Sequence, residues 1–289
     1  MILITGATGG LGNATINSLL EILPSEQIAA LVRDKQKATL LIEKGIDIRI
    51  GDYDSYESLV KAFSGIDKLL LVSAPALSDL RYKRESNVIN AAKEAGVKHI
   101  FYTGIQHRKD RQYIMPMVTE ISILIEQMFK ESGMYYTVIE NTIYAEAVPL
   151  YIGNNIDQII EHGVIFNGNG SISYASRADL GEGIAKILTS ENHENKKYTL
   201  SNTQSWSFSD IASILSVITE KEIVYRNVGR KDYINHKVTV EHYPSFVAEF
   251  FADWGDAATN GEFEETDPML EKLLGRKPQK LNEFLRNIY

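Results

Sequence analysis

The sequence predicts an α/β protein in which a doubly wound parallel sheet is followed by a smaller, interleaved C-terminal α+β lobe. Short apolar segments alternate with amphipathic ones through the first half of the chain, and this alternation stops after about Asn141. A glycine cluster directly follows the first apolar segment. Alternating strands and helices are typical of a parallel sheet that is covered by helices on both faces.

Six apolar segments in the first half have the length and the flanking residues of strands buried on both faces. They occupy residues 2–4, 28–32, 46–50, 68–72, 99–102 and 136–139. Helices are predicted between them at residues 11–20, 55–63, 80–95 and 118–131. Later helices are predicted at 143–161, 178–189, 208–219, 238–259 and 282–287, with short strands near 164–166, 172–175, 198–201 and 223–225. We therefore predict domains over residues 1–142 and 143–289, the second contributing elements back to the sheet.

The composition excludes several classes of function. The chain has 289 residues, a formal net charge of −8 and no cysteine, so disulfides, thiolate metal sites and cysteine nucleophiles are excluded. An acidic chain also lacks the surplus of Lys and Arg that nonspecific nucleic-acid binding needs. No segment approaches the about 20 apolar residues that span a bilayer. The six histidines show no metal-binding spacing. We expect a cytoplasmic protein without a metal site.

The glycine cluster has the spacing of a dinucleotide-binding loop. Thr5-Gly-Ala-Thr-Gly-Gly-Leu-Gly12 follows the first strand and opens the first helix. The first glycine permits a tight turn, the second lets the backbone approach a diphosphate, and the last allows close helix–strand packing. This context predicts a Rossmann-type cofactor site formed by Gly6, Ala7, Thr8, Gly9, Gly10, Leu11 and Gly12. The alternative is a structural turn in an α/β protein that binds no nucleotide.

The end of the second strand indicates which nicotinamide cofactor binds. Sites that prefer NADH usually have an acidic residue here, which accepts hydrogen bonds from the ribose. This chain has Arg33, with Lys37 one helical turn later, and both suit the 2′-phosphate of NADPH. Asp34 keeps NADH as the less favoured alternative, although it can instead cap the helix that starts near Lys35. We predict NADPH.

With these motifs the chain resembles the NmrA-like atypical short-chain dehydrogenases. Within that family it is most similar to the bacterial type-2 NAD(P)H:quinone oxidoreductases and the triphenylmethane reductases. The matching segments are residues 4–12, 31–34, 51–53, 67–73, 87–93, 95–100, 102–104, 136–141, 177–179, 193–196 and 273–275, together with Tyr144. The resemblance therefore extends nearly from end to end.

The resemblance implies further cofactor contacts along the ends of the strands. These are Asp52 and Tyr53 near the adenine, Ser73, Ala74 and Pro75 beneath the centre of the cofactor, Asn141 and Tyr144 beside the nicotinamide and substrate, and Arg177 at the cofactor edge. Two positions depart from the family. Glu140 stands where the family usually has Arg, and a negative charge there can alter substrate preference. Gln127 stands where the quinone reductases tend to have Lys.

Most short-chain dehydrogenases use a Tyr four residues before a Lys as their acid–base pair. Only Tyr233 and Lys237 have that spacing, and with 15 tyrosines in the chain a single match is what chance gives. The pair also lies far beyond the fifth strand, so we reject it and leave the catalytic residues unknown. Without such a pair, an electron-poor acceptor can still take hydride directly. Tyr144, Tyr151 and Phe166 either form a flat apolar slot for it or are ordinary core aromatics.

Two functions remain open at this point. The first is an NADPH-dependent reductase of quinones or similar planar acceptors, which the similarity to reductases favours. The second is a non-catalytic NADP(H) sensor of the NmrA kind that acts through a regulatory protein partner, which the missing Tyr/Lys pair and Glu140 favour. The sequence does not decide between a monomer and a homodimer.

Overall fold

The computed structural model describes residues 1–74, 78–110, 113–115 and 118–289. Its strands are β1 (Ile2–Ile4), β2 (Ile28–Val32), β3 (Asp47–Ile50), β4 (Lys68–Val72), β5 (His99–Ile105), β6 (Tyr135–Asn141), β7 (Val164–Phe166), β8 (Ser171–Ile172), β9 (Lys196–Leu200), β10 (Trp206–Ser207) and β11 (Tyr225–Asn227). Its α-helices are α1 (Gly10–Leu20), α2 (Thr39–Glu43), α3 (Tyr56–Phe63), α4 (Ser78–Glu94), α5 (Thr119–Ser132), α6 (Val148–Ile152), α7 (Ile156–His162), α8 (Arg177–Thr189), α9 (Phe208–Thr219), α10 (Arg230–Thr239), α11 (Ser245–Thr259), α12 (Met269–Leu274) and α13 (Leu281–Leu285).

Seven strands form one sheet in the order β3-β2-β1-β4-β5-β6-β9. Every neighbouring pair is parallel, which confirms the predicted parallel α/β sheet. The chain builds outward from β1 through β2 to β3 and then returns to pair β4 with the other side of β1. Such a reversal of strand order opens a crevice at the carboxyl ends of the two central strands, where ligands of open α/β sheets bind.

Apolar side chains on both faces of the central strands hold the sheet in place. All five residues of β2 are buried. One face packs on α3, α4 and α5 through a core that includes Leu71, Tyr102 and Phe129. On α8, a methyl group added at Gly181 would lie 2.7 Å from the backbone of Ala14, so α1 and α8 approach each other almost backbone to backbone. Burial of this kind contributes about 25 cal/mol per Å² of apolar surface.

The chain divides into two compact units. The first, here called the sheet unit, consists of Met1–Ile105, Pro116–Asn141 and Arg177–Leu200. The second unit consists of Gln106–Met115, Thr142–Ser176 and Ser201–Tyr289. It pairs β7 with β11 in parallel and β8 with β10 antiparallel. The predicted division after residue 142 falls one residue from the crossing at Asn141.

Two long predicted helices are wrong, because each is broken in the structure. The segment 143–161 forms α6 and α7, separated at Gly153, whose φ of 98° does not fit a helix. Asn155 then starts α7 by accepting hydrogen bonds from the amides of Asp157 and Gln158. The segment 238–259 is divided between α10 and α11, and Pro244 immediately precedes the second helix.

Candidate functional site

The loop between β1 and α1 has the geometry of a phosphate-binding turn. Gly6 has a φ of 58°, which favours glycine, and its carbonyl accepts a hydrogen bond of 2.9 Å from the amide of Gly9. A methyl group on Gly12 would lie 2.3 Å from that same carbonyl oxygen, so only glycine allows α1 to start this close to the turn. Of the predicted loop residues, those exposed are Gly6, Thr8, Gly9 and Gly10, whereas Ala7, Leu11 and Gly12 are buried. The helix therefore presents its first amide groups, which suit a diphosphate.

Arg177, the first residue of α8, lies against the start of α1. A methyl group on Gly10 would approach its Cδ to 2.8 Å and its Nε to 3.2 Å. The guanidinium is thus held beside the positive end of α1, where it adds charge for an anionic group. The sequence predicted Arg177 at the cofactor edge, and this position beside the predicted phosphate loop is compatible with that role.

The end of β2 carries the side chains predicted to select the cofactor. Arg33 and Lys37 are exposed there. Asp34 accepts a hydrogen bond of 2.9 Å from the amide of Gln36 and caps the short 3₁₀ helix Lys35–Ala38, which confirms the capping interpretation of this residue. An acidic side chain that is used as a cap is less free to serve the ribose of NADH.

A second carboxylate lies on the same part of the sheet unit. Asp54, after β3, accepts hydrogen bonds from Arg84 of α4, at 3.0 Å between Nε and Oδ1 and 2.6 Å between Nη2 and Oδ2. These bonds lower the pKa of Asp54, and the nearby charge of Arg33 acts in the same direction. Arg84 therefore offsets a negative charge that would otherwise oppose a phosphate bound by Arg33.

Asp52 and Tyr53 lie in the turn that follows β3. The Asp52 carboxylate accepts a hydrogen bond of 3.0 Å from the amide of Asp54 and fixes this turn. The Tyr53 hydroxyl lies at the ends of β1 and β4, 2.5 Å from the Thr5 hydroxyl and 3.1 Å from the carbonyl of Val72. Burial raises the pKa of Tyr53 well above its ordinary value, so it stays protonated. Tyr53 thus links the ends of β1 and β4, next to the phosphate-binding turn. Contact of Asp52 and Tyr53 with the adenine stays a prediction.

The end of β4 is held through its backbone amides. The amide of Ser73 donates a hydrogen bond of 3.0 Å to the Thr103 hydroxyl of β5. The amide of Ala74 donates one of 3.0 Å to the buried carboxylate of Glu85 on α4. Pro75, the third residue predicted here, lies outside the described residues. Sequence spacing does not reveal Thr103 or Glu85, because each acts on a residue that is distant along the chain.

Asn141 ends β6 at the same edge of the sheet. It is 2% exposed, and within the described part of the chain neither its side-chain oxygen nor its side-chain nitrogen has a hydrogen-bond partner. Leaving a buried amide unpaired costs about 1–3 kcal/mol. Such a cost at a strand end is typical of a group that is kept for a ligand. Tyr144, predicted beside it, is half-buried in the second unit and pairs with Ala175 through a β-bridge.

The two departures from the family pattern have local partners. Glu140 lies 2.6 Å from Lys197 of β9, and the same ammonium also contacts Glu126 of α5 at 3.0 Å. One ammonium is thus shared by two carboxylates and offsets one of their two negative charges. Gln127 donates a hydrogen bond of 2.6 Å to Glu131 along α5.

The Tyr233–Lys237 pair belongs to the core of the second unit. Tyr233 donates a hydrogen bond to the carbonyl of Tyr151, and Lys237 donates to the carbonyl of Leu150 and to Glu241. Both side chains are fully buried, and burial raises the pKa of Tyr233 well above its ordinary value. A buried phenol of this kind is unsuited to acid–base catalysis, which supports rejecting the pair.

Tyr151 and Phe166 are core aromatics. Their exposed fractions are 4% and 0%, and their ring centroids lie 5.6 Å apart. Of the two interpretations that the sequence left open, the structural one therefore applies to both. Over the described ranges, no group of three or more His, Asp and Glu side chains could hold a metal ion. None of the helices in the described part of the chain is long and apolar enough to cross a bilayer.

Comparisons with known proteins give matches over the full chain. The sequence profile of the NmrA-like family matches residues 1–285. Quinone oxidoreductase 2 of Escherichia coli (strain K12) is 34% identical over 292 residues, covering 100% of this chain and 99% of that protein. The structure of the Escherichia coli NADPH-dependent quinone oxidoreductase complexed with NADPH superposes with a TM-score of 0.91, at 33% identity and 99% of both chains. That of the Citrobacter sp. triphenylmethane reductase complexed with NADP(H) gives 0.92, at 35% identity and 100% of both chains.

Proposed function

Because the chain belongs to the NmrA-like family, we propose that it is an NADPH-dependent oxidoreductase that reduces a quinone or a similar planar, electron-poor acceptor. The observation that carries the proposal is the similarity over full length to a quinone oxidoreductase and a triphenylmethane reductase whose structures contain this cofactor. The phosphate-binding turn and the exposed Arg33 of this chain fit the same cofactor.

The sheet unit supplies the groups that hold the cofactor. The first amides of α1 and the guanidinium of Arg177 bind the diphosphate, and Arg33 with Lys37 binds the 2′-phosphate. Asn141 turns its unpartnered amide to the nicotinamide half, where hydrogen bonds to its side-chain oxygen and nitrogen remove the cost of its burial. NADPH, once bound, supplies a hydride, and a quinone that accepts it takes one proton from water to become the hydroquinone.

The chain's own contribution to this chemistry is orientation and exclusion of water. The pair Tyr233 and Lys237 is fully buried, so we propose an acceptor that can take hydride without help from this pair. Quinones and cationic dyes are acceptors of that type. For such acceptors, holding the reacting atoms about 3–3.5 Å apart supplies most of the acceleration that a protein can offer.

An assay with purified protein tests this function. The loss of NADPH absorbance is followed with a benzoquinone, with a malachite-green-type dye and without an acceptor. We expect acceleration that depends on the acceptor and saturates with it. Tight NADPH binding without acceleration by any acceptor would reject the reductase and support the sensor function instead. Absence of binding to either nicotinamide nucleotide would reject both.

A further inference from the structure

A buried polar cluster lies within the sheet unit behind the ends of β4 and β5. It consists of Arg81 and Glu85 of α4, Tyr102 of β5 and Ser122 of α5, and none of these residues is more than 6% exposed. Nε of Arg81 donates to Glu85 at 3.0 Å, and its Nη2 donates to Tyr102 at 2.8 Å and to Ser122 at 3.0 Å. The cluster therefore ties three elements together in a region that is otherwise apolar.

The carboxylate of Glu85 has a complete set of donors. One oxygen accepts from Arg81 and from the amide of Ala74, each at 3.0 Å, and the other accepts from the Tyr102 hydroxyl at 3.0 Å. Hydrogen bonds to a charged group are stronger than those between neutral groups when the partners stay in place. Of these partners, only Ala74 donates from the backbone, and it lies just after the carboxyl end of β4. Glu85 therefore acts on the loop after β4 through this amide.

The cluster fixes two points of the chain at once. Glu85 holds the amide of Ala74, directly after the Ser73 amide that Thr103 holds. Arg81 extends in the other direction and donates a hydrogen bond of 3.1 Å to the carbonyl of Val118, just before α5. Ala74, which follows β4, and Val118, which precedes α5, are thus both held by one buried ion pair.

The position of Ala74 gives this cluster a function beyond stability. A diphosphate at the start of α1 lies over the point where strand order reverses, between β1 and β4. Arg33, at the end of β2, takes the adenosine side. The nicotinamide half therefore extends over the end of β4, where the backbone of Ser73 and Ala74 forms the support. A displacement of about 1 Å in such a support can cost 10²-fold in rate.

We propose that Glu85 is a positioning residue for the nicotinamide half of the cofactor, which it orients through the backbone amide of Ala74. The proposal rests on the proposed function, because it assumes that a nicotinamide nucleotide binds at this edge. Arg81 and Tyr102 act through Glu85 by keeping its carboxylate in place.

The test compares binding of two ligands to the Glu85→Gln variant by calorimetry. NADPH carries both halves of the cofactor, whereas 2′-phosphoadenosine diphosphoribose lacks the nicotinamide. We expect the variant to bind NADPH about 10-fold more weakly, because the neutral amide loses the ion pair with Arg81 and the acceptor for the Tyr102 hydroxyl, which together hold its oxygen against the Ala74 amide. It should bind the shorter ligand as wild type does. The ratio of NADPH to NADH affinity should stay unchanged, because the 2′-phosphate contacts are not involved.

Two further variants separate positioning from general stability. Tyr102→Phe keeps the charge of the ion pair and removes one donor to Glu85, so it should weaken NADPH selectively but by less, about 2–3-fold. If Glu85→Gln does not fold, the Tyr102→Phe variant alone tests the proposal. Glu126→Gln, the matched control, changes a buried acid of the sheet unit whose partner is Lys197. It should lower thermal stability without changing the ratio of the two affinities.

Equal weakening of both ligands, or wild-type affinity for NADPH in a folded Glu85→Gln or Tyr102→Phe variant, would overturn the positioning role. If wild-type protein binds neither ligand, the proposed function fails before this inference is reached. The two failures are therefore distinguishable.

Discussion

Polar side chains are used differently at the two ends of the parallel strands. We call the side where the strands begin the amino edge and the side where they end the carboxyl edge. At the amino edge, hydrogen bonds join side chains to each other and to neighbouring elements of structure. His99 donates from Nε2 to the Thr137 hydroxyl at 2.8 Å, and that hydroxyl donates to the carbonyl of His193 at 2.6 Å. Lys68 donates to the carbonyl of Leu188 at 2.7 Å. Burial lowers the pKa of His99 to about 4, so the ring is neutral near pH 7.

At the carboxyl edge several partners are backbone amides, in the last residue of a strand or in the loop that follows it. The Thr5 hydroxyl accepts from the amide of Val72, Thr103 from that of Ser73 and Glu85 from that of Ala74. Asn141 has buried polar atoms without any partner within the described chain.

This difference suggests that polar residues at one end of the strands serve stability, whereas those at the other end serve ligand binding. Polar groups at the amino edge form hydrogen bonds with each other and with backbone carbonyls, and so they stabilise the fold. Those at the carboxyl edge hold loop backbone in place or are left for a ligand. Substitutions at the carboxyl edge should therefore change binding more than stability, and those at the amino edge should do the reverse.

The largest effect is expected for Gly12→Ala. The added methyl group would lie 2.3 Å from the Gly6 carbonyl, so the phosphate-binding turn must move. We expect NADPH affinity to fall by about 100-fold, the effect of losing about two hydrogen bonds from backbone amides to a charged diphosphate. Isothermal titration measures it.

The matched control for this substitution is Gly65→Ala at the amino edge. Gly65 has a φ of +77°, but no atom lies within 4 Å of an added methyl group. Its replacement should cost about 1 kcal/mol of stability from backbone strain and leave NADPH affinity unchanged. If both variants lose affinity equally, the two edges do not differ in the way described.

Arg33→Glu should give the next largest effect. Reversing the charge beside the 2′-phosphate removes a charge-assisted hydrogen bond and adds repulsion. We expect the NADPH affinity to fall about 100-fold more than the NADH affinity. In wild type, added salt should also weaken NADPH more than NADH, since the contact is exposed. Equal losses for the two cofactors would remove Arg33 from the 2′-phosphate site.

Asn141→Leu should separate stability from activity. The substitution replaces an unpartnered buried amide with an apolar group of similar size, so the free energy of unfolding should rise by about 1 kcal/mol. Turnover with NADPH should fall about tenfold, because the amide no longer meets the nicotinamide half. Urea unfolding and steady-state rates measure the two effects.

The control for this change is Asn167→Leu in the second unit. The Nδ2 of Asn167 donates to the carbonyl of Ala252 at 2.9 Å and to Asp256 at 3.1 Å. Losing both bonds should destabilise the protein by about 1–3 kcal/mol. A destabilised Asn141→Leu variant with normal turnover would contradict a ligand role for Asn141.

The parallel sheet could be predicted because its signals are local. The segment Lys68–Val72 forms β4 with the predicted bounds, since an apolar run between charged and small residues has few alternatives. The helices predicted at 143–161 and 238–259 are wrong, because the apolar periodicity continues across a point where the helix breaks and so does not reveal the break. Gly153 and Pro244 mark the two breaks.

In the candidate site, too, the features set by local sequence could be predicted and those that depend on distant residues could not. The phosphate-binding turn follows from glycine spacing within eight residues. The Arg81–Glu85 pair could not be recognised, because a pair four residues apart on a helix normally indicates a solvated surface. Its burial depends on Tyr102 and Ser122, which the chain brings from other elements. The unpaired state of Asn141 likewise depends on neighbours that sequence spacing does not reveal.

The smallest effect is expected at the amino edge for Asp67→Asn. Asp67 accepts hydrogen bonds from Lys98 at 2.6 Å and from the amino group of Met1 at 2.7 Å, and these two bonds lower the pKa of its carboxyl to about 2. A lowered pKa stabilises the fold above the unfolded value near 4 and loses that contribution as the pH falls toward 2. Because these groups are partly exposed, the substitution should cost less than about 1 kcal/mol at pH 7.

Urea unfolding of wild type and Asp67→Asn across pH measures this difference. The gap in free energy of unfolding should be constant from about pH 8 to pH 5 and shrink below pH 4, where the unfolded carboxyl takes up a proton. NADPH affinity should not change, because the residue lies at the edge opposite the phosphate-binding turn. A loss of cofactor affinity in this variant would show that the amino edge also contributes to binding, and the division of labour between the two edges would fail.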